Sequence, residues 1–371
     1  MHDPTRLTQA RPDAETRSTW VPVGASLTDM DTVAATVTID ALDPATLSDE
    51  DAGALAAVAN AAQAVDAPHR DPVDAAHVRR RHAYGWDLQP TYGLLVAHAD
   101  GGECVGYCEV HVSAWDNPTL AILDLQTAPA HRGRGVGDAL LDAAVAHARD
   151  GGRTSLLGDA WVGSHRARFW ERHGWPVASV AAQRRLVLAD LDHEHLSRLL
   201  AEAEAASPDY EVVELPSPAP DEMVPGLVGL HTVMNDAPLD DLDIEDDVWS
   251  VERLRAFEQA LPQRGMRTHA LLARRRDDGA LAGYTDVVVE EDRPWLGFQE
   301  DTAVAYAHRG HRLGLRLKVA MLRRLAEREP QVRHVDTWNA ESNRHMIAVN
   351  EALGCVVVGR GVEVQRDAPE R

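Results

Sequence analysis

Apolar and polar residues alternate along Thr32 to Leu42, and that period of two predicts a first strand. Asp49 to Ala64 is rich in Ala at helical spacing, and Val73 to Trp86 reads as a second helix. Tyr92 to His98 and Glu103 to Ser113 read as strands joined by Asp100-Gly101-Gly102, a hairpin signal. Leu120 to Thr127 is a further strand, followed by Pro129 and a Gly-rich turn. Val136 to Arg149 is helical, because Leu140, Leu141, Ala144, Val145 and Ala148 share one face. Thr154 to Ala160 is a strand, Ser164 to His173 a helix capped by Ser164, and Val177 to Leu188 a closing strand or hairpin.

The same order then returns. Tyr210 to Leu215 is a strand; Glu222 to Met234 and Val251 to Ala260 are helices; Thr268 to Arg274, Leu281 to Glu290 and Leu296 to Val304 are strands. Leu313 to Glu327 is a helix with Leu315, Val319, Leu322 and Ala326 on its buried face. Val332 to Thr337, Asn343 to Leu353 and Val356 to Gln365 complete the run as strand, helix and strand. The return is a true repeat. A shift of 177 positions lays VGYCEVHV (Val105 to Val112) on AGYTDVVV (Ala282 to Val289), and AHRGRGVG (Ala130 to Gly137) on AHRGHRLG (Ala307 to Gly314). One pair of domain-sized copies means duplicated domains, not a solenoid. His193 to Ala205 reads as a linker helix, and Ser207-Pro208 and Pro216 to Pro220 punctuate the start of the second copy.

A chain of 371 residues suits two domains at roughly 100–200 residues each. No stretch approaches 18 uninterrupted apolar residues, which excludes a transmembrane helix. Met1 to Trp20 is polar, lacks an apolar core and is expected to be a partly ordered leader rather than a signal peptide. The net charge of −22 argues against nucleic-acid or anionic-membrane partners and favours cationic small molecules. Arg supplies almost all the positive charge, and Lys318 is the single lysine. Cys104, Cys108 and Cys355 form no metal framework and read as thiols of a reducing cytoplasm.

The most informative motif is a strand, then Arg132-Gly133-Arg134-Gly135-Val136-Gly137, then an amphipathic helix. Glycines at this spacing let backbone N–H groups converge on an anion at a helix N-terminus, a fit for pyrophosphate. A dinucleotide fold would place its glycines after the first strand of a parallel sheet, and an NTPase loop would carry Gly-Lys-Ser/Thr; neither matches.

This strand–strand–strand–RGRGVG–helix–strand–helix–strand order resembles the GNAT superfamily of N-acetyltransferases, whose signature is Arg/Gln-x-x-Gly-x-Gly/Ala. Residues Arg132 to Gly137 match it fully. The second copy, Arg309-Gly310-His311-Arg312-Leu313-Gly314, keeps the first Arg and last Gly but has Arg312 at the inner Gly position. The layout resembles tandem actinobacterial GNAT proteins, a group that includes mycothiol-synthase-like enzymes. The resemblance implies a mixed α+β fold, with a mostly antiparallel sheet and flanking helices. It implies a leader over 1–30, GNAT-like domains over 31–190 and 209–371, and a linker helix over 191–208. It further implies a V-shaped cleft between Leu120 to Thr127 and Thr154 to Ala160, and another between Leu296 to Val304 and Val332 to Asn339. Acetyl-CoA would lie there as co-substrate, without a metal. Its contacts would be Thr127 and Arg132 to Gly137 in the first copy, and Val304, Arg309 to Gly314, Asn339 and Asn343 in the second. Both copies are expected to bind it.

Asp124 and Asp301 are equivalent and interrupt apolar strands, which is costly unless the carboxylate is solvated or paired. Each reads as a general base or amine anchor, or as a carboxylate paired with an Arg or a backbone N–H. Glu300 is the alternative base in the second copy; a bulge would bring it to the cleft face. The family's usual acid is a Tyr in the late helix, and here Trp170 and Asn350 take that place. Neither is a competent general acid. Asn343 opens its helix as a natural N-cap. The acidic run Asp236, Asp240, Asp241, Asp243, Glu245, Asp246 and Asp247 is either a solvated loop or a collar for a cationic amine.

The expected function is acetyl transfer from acetyl-CoA to a small cationic amine in the cytoplasm, by a monomer or homodimer. The alternative is a catalytically silent acyl-CoA-binding or scaffold protein.

Overall fold

Twelve strands form a single mixed sheet in the computed structural model, which describes residues 37–86 and 88–368. The expected leader, and the expected first strand before Val37, lie outside the described residues. In chain order the first half comprises β1 (Thr38–Leu42), α1 (Asp49–Asp66), α2 (Ala75–Tyr84), β2 (Gly93–His98), β3 (Cys104–His111), β4 (Leu120–Thr127), α3 (Val136–Asp150), β5 (Ser155–Trp161), α4 (His165–Arg172) and β6 (Val177–Val187). The connecting helix is α5 (His193–Ala206). The second half comprises β7 (Tyr210–Leu215), α6 (Val224–Thr232), α7 (Val251–Gln263), β8 (Met266–Arg275), β9 (Leu281–Glu290), β10 (Leu296–Val304), α8 (Leu313–Arg328), β11 (His334–Ala340), α9 (Arg344–Ala352) and β12 (Val356–Asp367). None of the described helices is long and apolar enough to cross a membrane.

Local chemistry accounts for these boundaries. Ser48 accepts Asp51 N–H at 3.0 Å to open α1, and Ser164 accepts Ala167 N–H at 3.1 Å to open α4. Along β4, Ala121, Leu123 and Leu125 bury one face against α3, while Ile122, Asp124 and Gln126 point to the other.

The sheet order is β1-β2-β3-β4-β5-β12-β6-β11-β10-β9-β8-β7. The final strands are therefore exchanged between the halves. β12 pairs with β5, with Gly361 opposite Trp161, and β6 pairs with β11, with Val187 opposite His334. Val364 of β12 packs in the first half's core with Leu156 and Trp170, and Leu186 of β6 packs in the second half's core with Val335 and Leu353. Each half thus borrows a strand to complete its apolar interior, and the described residues fall in one compact unit.

Two parallel pairs interrupt the antiparallel ladder, and both are short. β4 follows β5 only from Leu120 to Leu123, and β10 follows β11 only from Leu296 to Phe298. Beyond those points the strands part, which opens a cleft in each half. β10 also breaks register with β9 between Gln299 and Thr302, whereas β4 runs in register with β3 from Ile122 to Thr127. The bulge in β10 carries Glu300 and Asp301.

Candidate active site

Each cleft ends at a glycine turn that opens a helix. Gly133 has φ +72°, and Gly135 is left-handed at φ +85° as the N-cap of α3. The second turn repeats this shape, with Gly310 at φ +87° and Arg312 left-handed at φ 55° as the N-cap of α8. Arg312 therefore keeps the geometry of the inner glycine, at the strain cost of a side chain in that region. Neither N-cap has a side-chain hydrogen bond, so the helix-opening N–H groups of Val136 and Gly137, and of Leu313 and Gly314, suit an anion.

The turn arginines do more than present charge. Arg132 Nε donates to Thr127 O at 3.2 Å, and Arg309 Nε donates to Val304 O at 3.0 Å, stapling each turn to the end of its strand. Asp66 at the end of α1 takes the Arg132 guanidinium at 2.6 Å, and Asp236 takes that of Arg309. Arg312 pairs with Glu202 at 2.7 Å, His311 packs 5.4 Å from the Tyr210 ring, and Arg134 is exposed.

The first cleft is bridged by protein. Arg166 of α4 donates to Asp124 and to Leu125 O on β4, the latter at 3.2 Å, and to Asp159 on β5 at 2.8 Å. One guanidinium thus spans the two strands where they part. Asp124 also accepts from Gln126 at 2.9 Å and lies 3.7 Å from Arg81, so it is a paired carboxylate. Its neighbour Glu109 is buried against Arg81 at 2.5 Å and His111 at 2.9 Å. Burial opposes the charge on Glu109, but Arg81, then His82 and His111, hold its pKa far below the usual range. Trp170 is fully buried and donates its indole N–H to Asp159 O at 2.9 Å.

The second cleft has the opposite electrostatics. Asp286, at the repeat position of Glu109, has no cation paired with it among the described residues; burial, then Asp301 and Glu300, push its pKa well above the usual range. Its Oδ1 accepts Asp301 N–H at 3.0 Å, which pins the bulge. Asp301 Oδ2 accepts the Tyr284 hydroxyl at 2.5 Å, and Tyr284 Oη lies 3.1 Å from His231 Nδ1. Burial raises Asp301, and the Tyr284 bond opposes the rise. Burial, with a smaller effect of Arg253, lowers His231 to about 4, so the imidazole is neutral at pH 7. Glu300 keeps an exposed surface, yet burial and then Asp301 push its pKa up to about 7, against the pull of Arg264. Among the described residues no ion pair joins β10 to β11; only Thr337 Oγ1 reaches across, to Gln299 O at 3.3 Å.

A polar chain leads to this cleft from the core. Lys318, buried in α8, donates to Asn350 Oδ1 at 2.9 Å, and Asn350 Nδ2 donates to Asn339 Oδ1 at 2.7 Å. The order of donors leaves the Asn339 N–H₂ group unspent by this chain. Burial lowers the Lys318 pKa to about 8. Asn343 is the N-cap of α9, accepting Met346 N–H at 3.2 Å.

The acidic run forms a strap over the first half. Asp241 N–H donates to Ala178 O at 2.9 Å, Asp243 N–H to Gln365 Oε1 at 2.8 Å, and Glu245 N–H to Asn117 Oδ1 at 2.8 Å. Val248 N–H donates to Asp116, which also takes Arg253 at 2.5 Å. The strap walls a central cavity of about 660 Å³ whose lining includes Trp86, Tyr92, Ile122, Leu157, Trp249 and Phe257. Trp249 stacks on His231 with ring centroids 4.2 Å apart, so the cavity wall backs directly onto the Tyr284–Asp301 cluster.

The structure therefore brings Asp301 together with His231 and Tyr284, which the sequence reading missed, and places Glu300 beside Asp301 with Arg264 and Glu290 acting on its charge. His231 carries no local motif. Tyr284 had a signal: the repeat keeps a tyrosine at Tyr107 and Tyr284.

Residues 27–175 match the Acetyltransferase (GNAT) family, and the chain carries a GNAT acetyltransferase domain there. Over 135 residues the chain is 36% identical to the mycothiol acetyltransferase of Propionibacterium freudenreichii subsp. shermanii, a match covering 35% of this chain and 42% of that protein. Over 68 residues it is 42% identical to the streptothricin acetyltransferase of Streptomyces lavendulae, covering 18% of this chain and 33% of that protein. The chain thus matches less than half the length of either curated relative. Among solved structures, a tandem GNAT protein from the clavulanic acid biosynthesis pathway, determined without AcCoA, superposes with a TM-score of 0.72 at 26% identity, over 91% of this chain and 100% of that one. A GCN5-related N-acetyltransferase from Sphaerobacter thermophilus shares the fold, with a TM-score of 0.65 at 17% identity, over 90% of this chain and 96% of that one.

Proposed function

We propose that the protein is an acetyl-CoA-dependent N-acetyltransferase of a small amine, with its chemistry in the second half. The observation that carries this reading is the bulged β10, which turns Asp301 toward Tyr284 and His231 beside an unbridged cleft. Acetyl-CoA, when bound, supplies an activated acetyl group as a thioester. The second turn fits its diphosphate through uncapped helix N–H groups, and Asn339 and Asn343 stand on the other arm. Asp301 and Glu300 are adjacent carboxylates on the bulge; Asp301 is raised from its ordinary range and Glu300 to about 7, which suits groups that accept a proton from an ammonium. The Lys318–Asn350–Asn339 chain ends in the Asn339 N–H₂ donor, three residues along β11 from where β10 and β11 part, a candidate partner for negative charge on a leaving thiolate.

The first half supports a different role. Arg166 already occupies its cleft and takes Leu125 O, a backbone acceptor that pantetheine would otherwise use. We assign that half to building the acceptor cavity rather than to turnover. Calorimetry with acetyl-CoA tests the reading together with thiol release across an amine panel. It expects one CoA per chain and acetylation of an amine. Absence of CoA binding would end it; CoA binding without turnover on any amine would favour a silent acyl-CoA-binding protein.

A further inference from the structure

Arg264 follows α7 and lines the central cavity. Gly265, at φ +71°, makes the next turn, and a Cβ there would stand 2.9 Å from the Arg80 side chain. Arg80 Nε in turn donates to Arg264 O at 3.3 Å, so the backbone that carries the guanidinium is held on both sides. The Arg264 guanidinium lies 3.9 Å from the centroid of the Trp86 ring, which stacks on Phe257.

Among the described residues no carboxylate lies within ion-pair distance of this guanidinium, although Glu290 and Glu300 are near enough to act on its charge. Arg264 is only 8% exposed, and its Nε has no hydrogen-bond partner. The other cavity guanidiniums are engaged, Arg81 with Glu109 and Arg253 with Asp116. Leaving a buried cation unpaired costs several kcal/mol, so a built site of this kind calls for an anion from outside the chain. Burial, and then Arg81, lower the Arg264 pKa to about 10 against the opposing pull of Glu290 and Glu300, which leaves it charged at pH 7. The surrounding wall is aromatic and aliphatic, and Asp247 and Glu363 give the cavity a second, acidic pole.

We propose that this cavity is the acceptor site and that Arg264 binds the carboxylate of an amino-acid-like acceptor with a planar or apolar body. The proposal rests on the acetyltransferase reading for the fate of the amine, and on the cavity alone for the carboxylate. The planar fork of Arg suits a carboxylate bidentately, and Tyr92, Ile122, Leu157 and Trp249 of the same cavity offer an aromatic and aliphatic wall for the body of the molecule. The cavity volume of about 660 Å³ is within the range of small-molecule sites.

The test is calorimetry on the full chain with N-acetylphenylalanine and with N-acetylphenethylamine, the same molecule without its carboxylate. Wild type is expected to bind the carboxylate ligand at least ~10-fold more tightly, consistent with a charge-assisted bidentate pair. R264M should abolish that preference, and R264K should reduce it, while both variants keep wild-type acetyl-CoA binding. Equal binding of the two probes, a preference that survives in R264M, or no binding of either would overturn the proposal. Failure of acetyl-CoA to bind wild type would instead sink the acetyltransferase reading, and the probe comparison does not depend on it.

Discussion

Tyr284 donates its hydroxyl to Asp301 Oδ2 across 2.5 Å, and this bond holds the carboxylate in the β10 bulge while opposing the rise that burial imposes on its pKa. Y284F removes the donor, so the Asp301 pKa should climb further. The rising limb of the kcat/KM profile should then move to higher pH, with activity recovering as pH increases. A profile unshifted from wild type would mean that Asp301 does not titrate in catalysis.

Two groups near neutrality frame the pH dependence. Glu300, raised to about 7, must lose its proton for the carboxylate pair to act, so activity should rise through about pH 7. Lys318, lowered to about 8, must keep its proton to polarise Asn350 and Asn339, so activity should fall through about pH 8. The expected profile is a bell. K318M should lower kcat and erase the alkaline limb, with little change in KM for acetyl-CoA. A K318M profile that still falls near pH 8 would remove Lys318 from the account.

Arg166 ties Asp124 to Asp159 across the first cleft. R166M would leave two carboxylates facing each other with only Arg81, 3.7 Å from Asp124, as a nearby cation. The cost should be about 2 kcal/mol, below the about 3–5 kcal/mol of a broken fully buried pair, because Asp159 is half exposed. Chemical denaturation measures it. A loss under about 0.5 kcal/mol would show that solvent already screens the triad.

Arg312 and Gly135 share the left-handed position before their helices. R312G should relieve about 1–2 kcal/mol of backbone strain. It should lose about 0.5–1 kcal/mol to glycine's greater freedom in the unfolded chain. The Glu202 pair is exposed on both sides and worth little. A small net gain of about 0.5 kcal/mol is expected, whereas G135A should destabilise by about 1 kcal/mol. Thermal shifts of opposite sign would support the equivalence of the two turns; a clear loss in R312G would show that the arginine side chain earns its place.

The bounds of β4, β7, β9 and β10 were legible because alternation and flanking turn residues are local signals. The Ser164 and Asn343 caps were legible for the same reason. The exchange of β6 and β12 was not, since alternation shows which face of a strand is buried but not which strand lies beside it. Asp124 and Asp301 looked equivalent in the repeat. Their difference comes from Arg166 in one half and from Tyr284 and His231 in the other, partners distant in sequence. The acidic run read as loop or collar because its backbone bonds to Ala178, Gln365 and Asn117 exist only once the halves meet. Arg264 gave no signal at all, because an unpaired guanidinium is a property of its surroundings.

The central claim is that the second half carries the chemistry, and the turnover of D301N against D124N tests it most directly. With the best amine from the panel and saturating acetyl-CoA, D301N should lose roughly 10²-fold or more in kcat, the scale of a positioned general base. D124N, whose carboxylate serves Arg166, should stay within about 3-fold of wild type, since it loses a structural partner and no proton acceptor. The reverse pattern would place the chemistry in the first cleft, and equal losses in both variants would contradict the division of labour between the halves.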